Sequence, residues 1–116
     1  MNWLLHDTNA YNRYAAGESA VLDAIQEVDI VYMSIFVLGE LLFGLKWGKR
    51  ERVNRQLLQK FLGGPKSRIL EGTEATSEHF GSLKAHLRKN GRPIPLNDVW
   101  IAAQALETGS LLVTFD

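Results

Sequence analysis

The chain has 116 residues, 46% hydrophobic and 22% charged, enough for one domain with a real core and too few for a second. No apolar run reaches membrane-spanning length and MNWLLHD carries no signal-peptide pattern, so a soluble protein in the cytoplasm is expected. Thirteen basic residues balance thirteen acidic ones, so overall charge does not advertise a nucleic-acid binder, and the absence of cysteine excludes disulfides and leaves only oxygen or imidazole to hold a metal.

WLLHD reads as a buried strand stopped by the polar turn DTN, with Asp7 at its carboxyl end. Helical sequence follows from Asn9 through Tyr14, breaks at Gly17 and resumes through SAVLDAIQEV, whose apolar positions are Val21, Leu22, Ile25 and Val28. IVYM is a second strand. Ser34 then caps SIFVLGELLFGLKWG, apolar enough to predict a helix buried around most of its circumference and ending near Gly48. RERVNRQLLQKFL is a further helical stretch, stopped by Gly63, Gly64 and Pro65.

SRIL, residues 67 to 70, is a short third strand, after which Thr73 or Thr76 starts a long polar helix reaching Asn90 and Gly91. Pro93 and Pro95 prevent its continuation. Asn97 is placed to cap a last helix running from Asp98 to about Thr108; Gly109 ends it, and LLVTF is a final buried strand. Strands alternating with helices predict an α/β fold with a mostly parallel sheet and right-handed crossovers.

In such a sheet the strands end, and the following helices begin, at the edge where ligands bind. Asp7 ends the first strand and Asp116 lies just beyond the last. Glu40 falls in the second turn of the helix after the second strand, and Asp98 opens the helix that leads back to the final strand. Each has a local explanation: Asp98 complements a helix dipole, Asp7 serves a turn, Asp116 is a terminal residue, and Glu40 points to solvent between Gly39 and Gly44. If the four instead converge, their mutual repulsion calls for a cation, and hard carboxylate oxygens without thiols or paired imidazoles suit Mg²⁺ or Mn²⁺. His79 and His86 lie on a polar helix, while His6 should point away from Asp7 and sit beneath a helix. A divalent ion among carboxylates suits phosphodiester hydrolysis, with the basic stretches KWGKRERVNR and KAHLRKNGR gripping phosphates or simply forming solvated helix faces. Lys46, Lys49, Arg50 and Arg92 are the candidate phosphate contacts.

LLHDTNAY, VYMSIFVLGELLFG, GRPIPLNDVWIAAQAL and LLVTFD, in this order and over the whole chain, make the sequence resemble the PIN domain, and within it the VapC-type toxins of prokaryotic toxin–antitoxin pairs. The resemblance implies a PIN-like three-layer α/β/α sandwich over residues 1–116 and an Mg²⁺- or Mn²⁺-dependent endoribonuclease held in check by a cognate VapB-like antitoxin. It carries the metal-binding and catalytic acids onto Asp7, Glu40, Asp98 and Asp116, with Thr8, Asn9, Asn97 and Thr114 orienting carboxylates or water. It further implies a homodimer, an RNA substrate, and an antitoxin tail in a groove lined by the helix from Ile35 to Trp47 and the adjoining basic stretch. The family normally continues past the position of Asp116, so a further short segment is expected there.

Two other families that place an acid after the first strand fit less well. A haloacid-dehalogenase-type phosphatase needs a second Asp where this chain has Asn9, and a receiver-like domain needs an acidic pair at the first strand and a lysine after a late one, which HDTN and LLVTFD do not supply. The remaining alternative is a catalytically silent PIN-like module that binds RNA or a partner.

Overall fold

The computed structural model describes residues 3–113. Its elements in chain order are β1 (Trp3–His6), α1 (Thr8–Ala15), α2 (Ser19–Gln26), β2 (Ile30–Ser34), α3 (Ile35–Trp47), α4 (Glu51–Leu62), β3 (Ser67–Leu70), α5 (Glu74–Lys89), α6 (Leu96–Thr108) and β4 (Leu111–Val113). The four strands form one parallel sheet in the order β3-β2-β1-β4. The chain steps from β1 to β2 to β3 in one direction and then returns across the sheet to β4. With right-handed crossovers, that reversal puts α1 to α4 on one face and α5 and α6 on the other, the three-layer arrangement expected from the sequence. The switch in direction opens a crevice at the carboxyl ends of β1 and β4, where α/β sheets bind ligands.

Short polar signals set the element boundaries. The Asp7 carboxylate accepts a hydrogen bond from the Ala10 N–H at 2.7 Å and so caps α1, while the Ser34 hydroxyl accepts from Phe36 N–H at 3.1 Å at the start of α3. Thr73, not Thr76, is the cap of α5; Thr76 completes a reciprocal capping box from inside the helix. Gly109, at φ 68°, provides the left-handed turn between α6 and β4 that a side chain would oppose. Two sequence expectations need correction here. α6 begins at Leu96 directly after Pro95, so Asn97 is inside the helix and does not cap it. The preset φ of Pro95 suits the position before the first turn and moves the boundary forward. α3 is also not buried around its circumference: Val37 and Leu41 face the core, whereas Phe43 and Trp47 are 67% and 83% exposed and stack on each other at 6.3 Å. β2, α1, α4 and α6 pack against α3, and among the described residues no element covers Phe43 and Trp47.

The sheet's interior residues Leu4, Leu5, Val31 and Met33 are fully buried, joined in the core by Val37, Leu58, Phe61 and Ile101. His6 is buried among them, stacked on Phe61 of α4 at 5.9 Å and tilted against Tyr14 of α1 at 6.5 Å, as the strand alternation predicts. Desolvation lowers its pKa from 6.5 to about 4, against the smaller raising effect of the neighbouring Asp7 charge. On the opposite face α6 is tied to the β3–α5 junction. The buried Gln104 amide donates to Leu70 O, and the Glu107 carboxylate accepts from the hydroxyls of Thr73 at 3.0 Å and Thr76 at 2.6 Å. These bonds fix the C-terminal half of α6 against the β3–α5 junction. Among the described residues, no helix is long and apolar enough to cross a membrane.

Candidate active site

Parallel strands place Asp7, the residue after β1, on the sheet's carboxyl edge. The β2 to α3 junction occurs at the same edge, and Glu40 projects there from the second turn of α3. The first turn of α6 brings Asp98 to the rim from the opposite layer. All three line one cleft of about 560 Å³ together with Thr8, Asn9, Ile94, Pro95, Ile101, Ala102 and Leu112. The apolar members belong mostly to α6 and the segment before it, the same element that carries Asp98.

Two of the carboxylates are already oriented by short hydrogen bonds. Asp7 Oδ1 is held by the first turn of α1. Glu40 Oε1 accepts from the Thr8 hydroxyl at 2.9 Å, across 32 residues of sequence. Thr8, at the start of α1, thus ties down the side chain of an acid carried by a different helix. Asn9 also lines the cleft, whereas Asn97 does not. Thr114 and Asp116 lie outside the described residues, and with them the expected fourth acid.

Among the described residues, no Lys or Arg lines the cleft. Three carboxylates lining a common space offer hard oxygen donors of the kind that suit a divalent cation. As they stand, no three acidic or imidazole side chains among the described residues are gathered into a coordination cluster. The histidines do not contribute: His6 is on the far side of its strand under α4, and His79 and His86 are on α5.

The basic candidates divide between two places. Lys46, Lys49 and Arg50 are exposed at the corner between α3 and α4, away from the residues lining the acidic cleft, whereas Arg92 lies on the segment leading to α6 beside it. A second crevice, about 400 Å³, runs between α1, α3 and α4 and is lined by Tyr11, Asn12, Gly44, Asn54 and Leu57; it shares Thr8 and Glu40 with the cleft. Sequence reasoning anticipated the α3 wall of this crevice but not its α1 wall, because Tyr11 and Asn12 have no pattern that distinguishes them from ordinary helix residues. It also missed Ile94 and Pro95 as cleft residues. The prolines marked a helix break but did not indicate which way the loop turns.

The PIN domain family profile matches residues 4–116. Among curated relatives, "Ribonuclease VapC2" of Haemophilus influenzae is 33% identical over 82 residues, 71% of this chain, and the match spans 61% of that protein's length. "Ribonuclease VapC2" of Rickettsia felis is 28% identical over 112 residues, covering 93% of this chain and 82% of that one. The crystal structure of VapBC2 from Rickettsia felis, bound to a DNA fragment from its promoter, superposes with a TM-score of 0.88 at 23% identity, covering 98% of this chain and 88% of that one. That similarity establishes a shared fold.

Proposed function

The chain belongs to the PIN domain family, and on that premise we propose that it is a metal-dependent endoribonuclease, the toxin of a VapBC-type pair restrained by an antitoxin. The observation that carries this reading is the convergence of Asp7, Glu40 and Asp98, from three separate elements, on the lining of one cleft. The relatives named as ribonucleases support the choice of RNA.

In this reading Asp7, Glu40 and Asp98 hold Mg²⁺ or Mn²⁺, and the resemblance adds Asp116. Bound there, such an ion supplies water activation and neutralisation of the charge that develops on the phosphate. The chain's own residues do the rest. Thr8 keeps the Glu40 carboxylate facing the cleft, and the N terminus of α1 holds Asp7 through one oxygen. Asn9 offers an amide to water or a phosphate oxygen. Ile94, Ile101 and Leu112 add apolar surface to the cleft beside the acids. Hydrolysis adds water across one P–O bond of the strand, with the basic residues outside the cleft holding flanking phosphates.

The crevice between α1, α3 and α4 is the place this reading gives to an antitoxin tail. A segment lying there reaches Glu40 and Thr8 directly, so one partner both covers exposed apolar surface and blocks the acids. A homodimer and a cytoplasmic setting complete the proposal.

The test is cleavage of a labelled mixture of total tRNA and ribosomal RNA with Mn²⁺, with Mg²⁺ and with chelator. Discrete fragments that depend on the metal and are missing with Asp98→Asn are the expected outcome. An Asp98→Asn protein that cuts as well as the parent refutes the assignment of the acids; RNA bound but never cut turns the reading to a silent binding module.

A further inference from the structure

A groove of about 460 Å³ lies between the C-terminal end of α5 and the start of α6. Leu87, Ile94, Leu96 and Val99 give it an apolar lining, and Lys84, Arg88 and Arg92 stand around it. Ile94 and Leu96 are 42% and 54% exposed, an unusual degree for large apolar side chains facing a cavity. Ile94 also lines the acidic cleft, so the two cavities share a wall, and Leu96 lies two residues before Asp98 on the same turn.

Among the described residues, no acid lines this groove and no carboxylate forms an ion pair with Lys84, Arg88 or Arg92. Lys84 instead places its ammonium 5.7 Å from the centre of the Phe80 ring. An apolar slot is complementary to the face of a nucleobase, and unpaired cations around it are complementary to the phosphates on either side. An apolar peptide would use the slot but leave three cations without counter-charge.

We propose that this groove seats a nucleobase of single-stranded RNA next to the phosphate held in the acidic cleft, with Lys84, Arg88 and Arg92 on the flanking phosphates. The inference rests on the RNA reading above and adds to it a specificity-determining subsite. Its physical logic is that the acids which hold the ion also repel a polyanion. A basic rim one wall away offsets that repulsion, and a base-sized slot selects which nucleotide is presented.

The test uses a fluorescein-labelled, randomised dodecamer RNA carrying 4-thiouridine, with chelator present so that binding is read without cleavage. Leu96→Asp and Arg88→Glu change exposed side chains, so both variants should fold; circular dichroism checks this. The expected results are a loss of affinity of roughly tenfold for each variant, the size of one base contact, and photocrosslinks on peptides containing Leu87 or residues 94 to 96 that disappear in Leu96→Asp. Failure of the parent protein to bind the dodecamer, affinities within about twofold of the parent in both variants, or crosslinks confined to the Phe43 and Trp47 region each overturn the proposal. So does a change of oligomeric mass in Leu96→Asp with unaltered RNA affinity, which makes the groove a contact between copies. Metal-dependent cleavage unaffected by either variant removes the groove and leaves the nuclease. Groove crosslinks in a protein that never cuts do the reverse.

Discussion

Acidification should loosen this protein through one identifiable side chain. His6 is fully buried, and neither ring nitrogen has a hydrogen-bond partner among the described residues, so the folded protein holds it neutral. Its folded pKa lies at about 4 against 6.5 for the ordinary group. Because the folded value is the lower one, the unfolded chain binds the proton first. The stability owed to the neutral imidazole is therefore complete above pH 6.5 and is lost as pH falls toward 4. Integrating the linkage relation over that gap gives a total of about 3 kcal/mol, of which about 2 kcal/mol has gone by pH 5. Chemical denaturation at pH 7 and pH 5 checks this when the parent is compared with His6→Leu, which keeps an apolar side chain of similar size beneath α4. Carboxylates titrate in both proteins, so the difference between the two profiles isolates the histidine. The parent should lose about 2 kcal/mol more than the variant. Parallel profiles, or an imidazole resonance that titrates near pH 6.5 in the folded protein, refute the buried neutral assignment.

Asp7 has two separable duties, capping α1 and lining the cleft. Asp7→Asn should leave the melting temperature nearly unchanged because Asn also caps well, while cleavage is lost. Asp7→Ala should lose cleavage and in addition about 1 kcal/mol of stability, read by denaturant melts. Thr8→Val removes the hydroxyl that holds Glu40 and keeps the shape; cleavage should fall by roughly 10- to 100-fold with the melt unaltered, and an unchanged rate means that the bond does not position the acid. Glu107→Ala strips the acceptor from the buried Thr76 and from Thr73. A loss of about 1–3 kcal/mol in a urea melt is expected, and a neutral result means that the α5 cap holds without α6.

Much of the candidate cleft is legible in the sequence, for local reasons. Asp7 follows an apolar run that can only be a buried strand, and Ser34 and Gly109 are punctuation that any helix needs at its ends, so element order and the parallel sheet follow from short-range pattern. With element order known, the handedness of crossovers puts Asp7, Glu40 and Asp98 on one edge. Tertiary structure decided what depends on which surfaces meet. The composition of α3 pointed to a helix buried around most of its circumference, yet Phe43 and Trp47 lie on the surface, because an apolar residue is buried only if another layer covers it. Asn97 had the composition of a cap, but the helix starts one residue before it, directly after Pro95. The bond from Thr8 to Glu40, the crevice beside it and the groove behind Ile94 join residues far apart in the chain. Periodicity reports only the face of an element a residue is on; the partner it meets there is set when helices from opposite layers close over the same edge of the sheet.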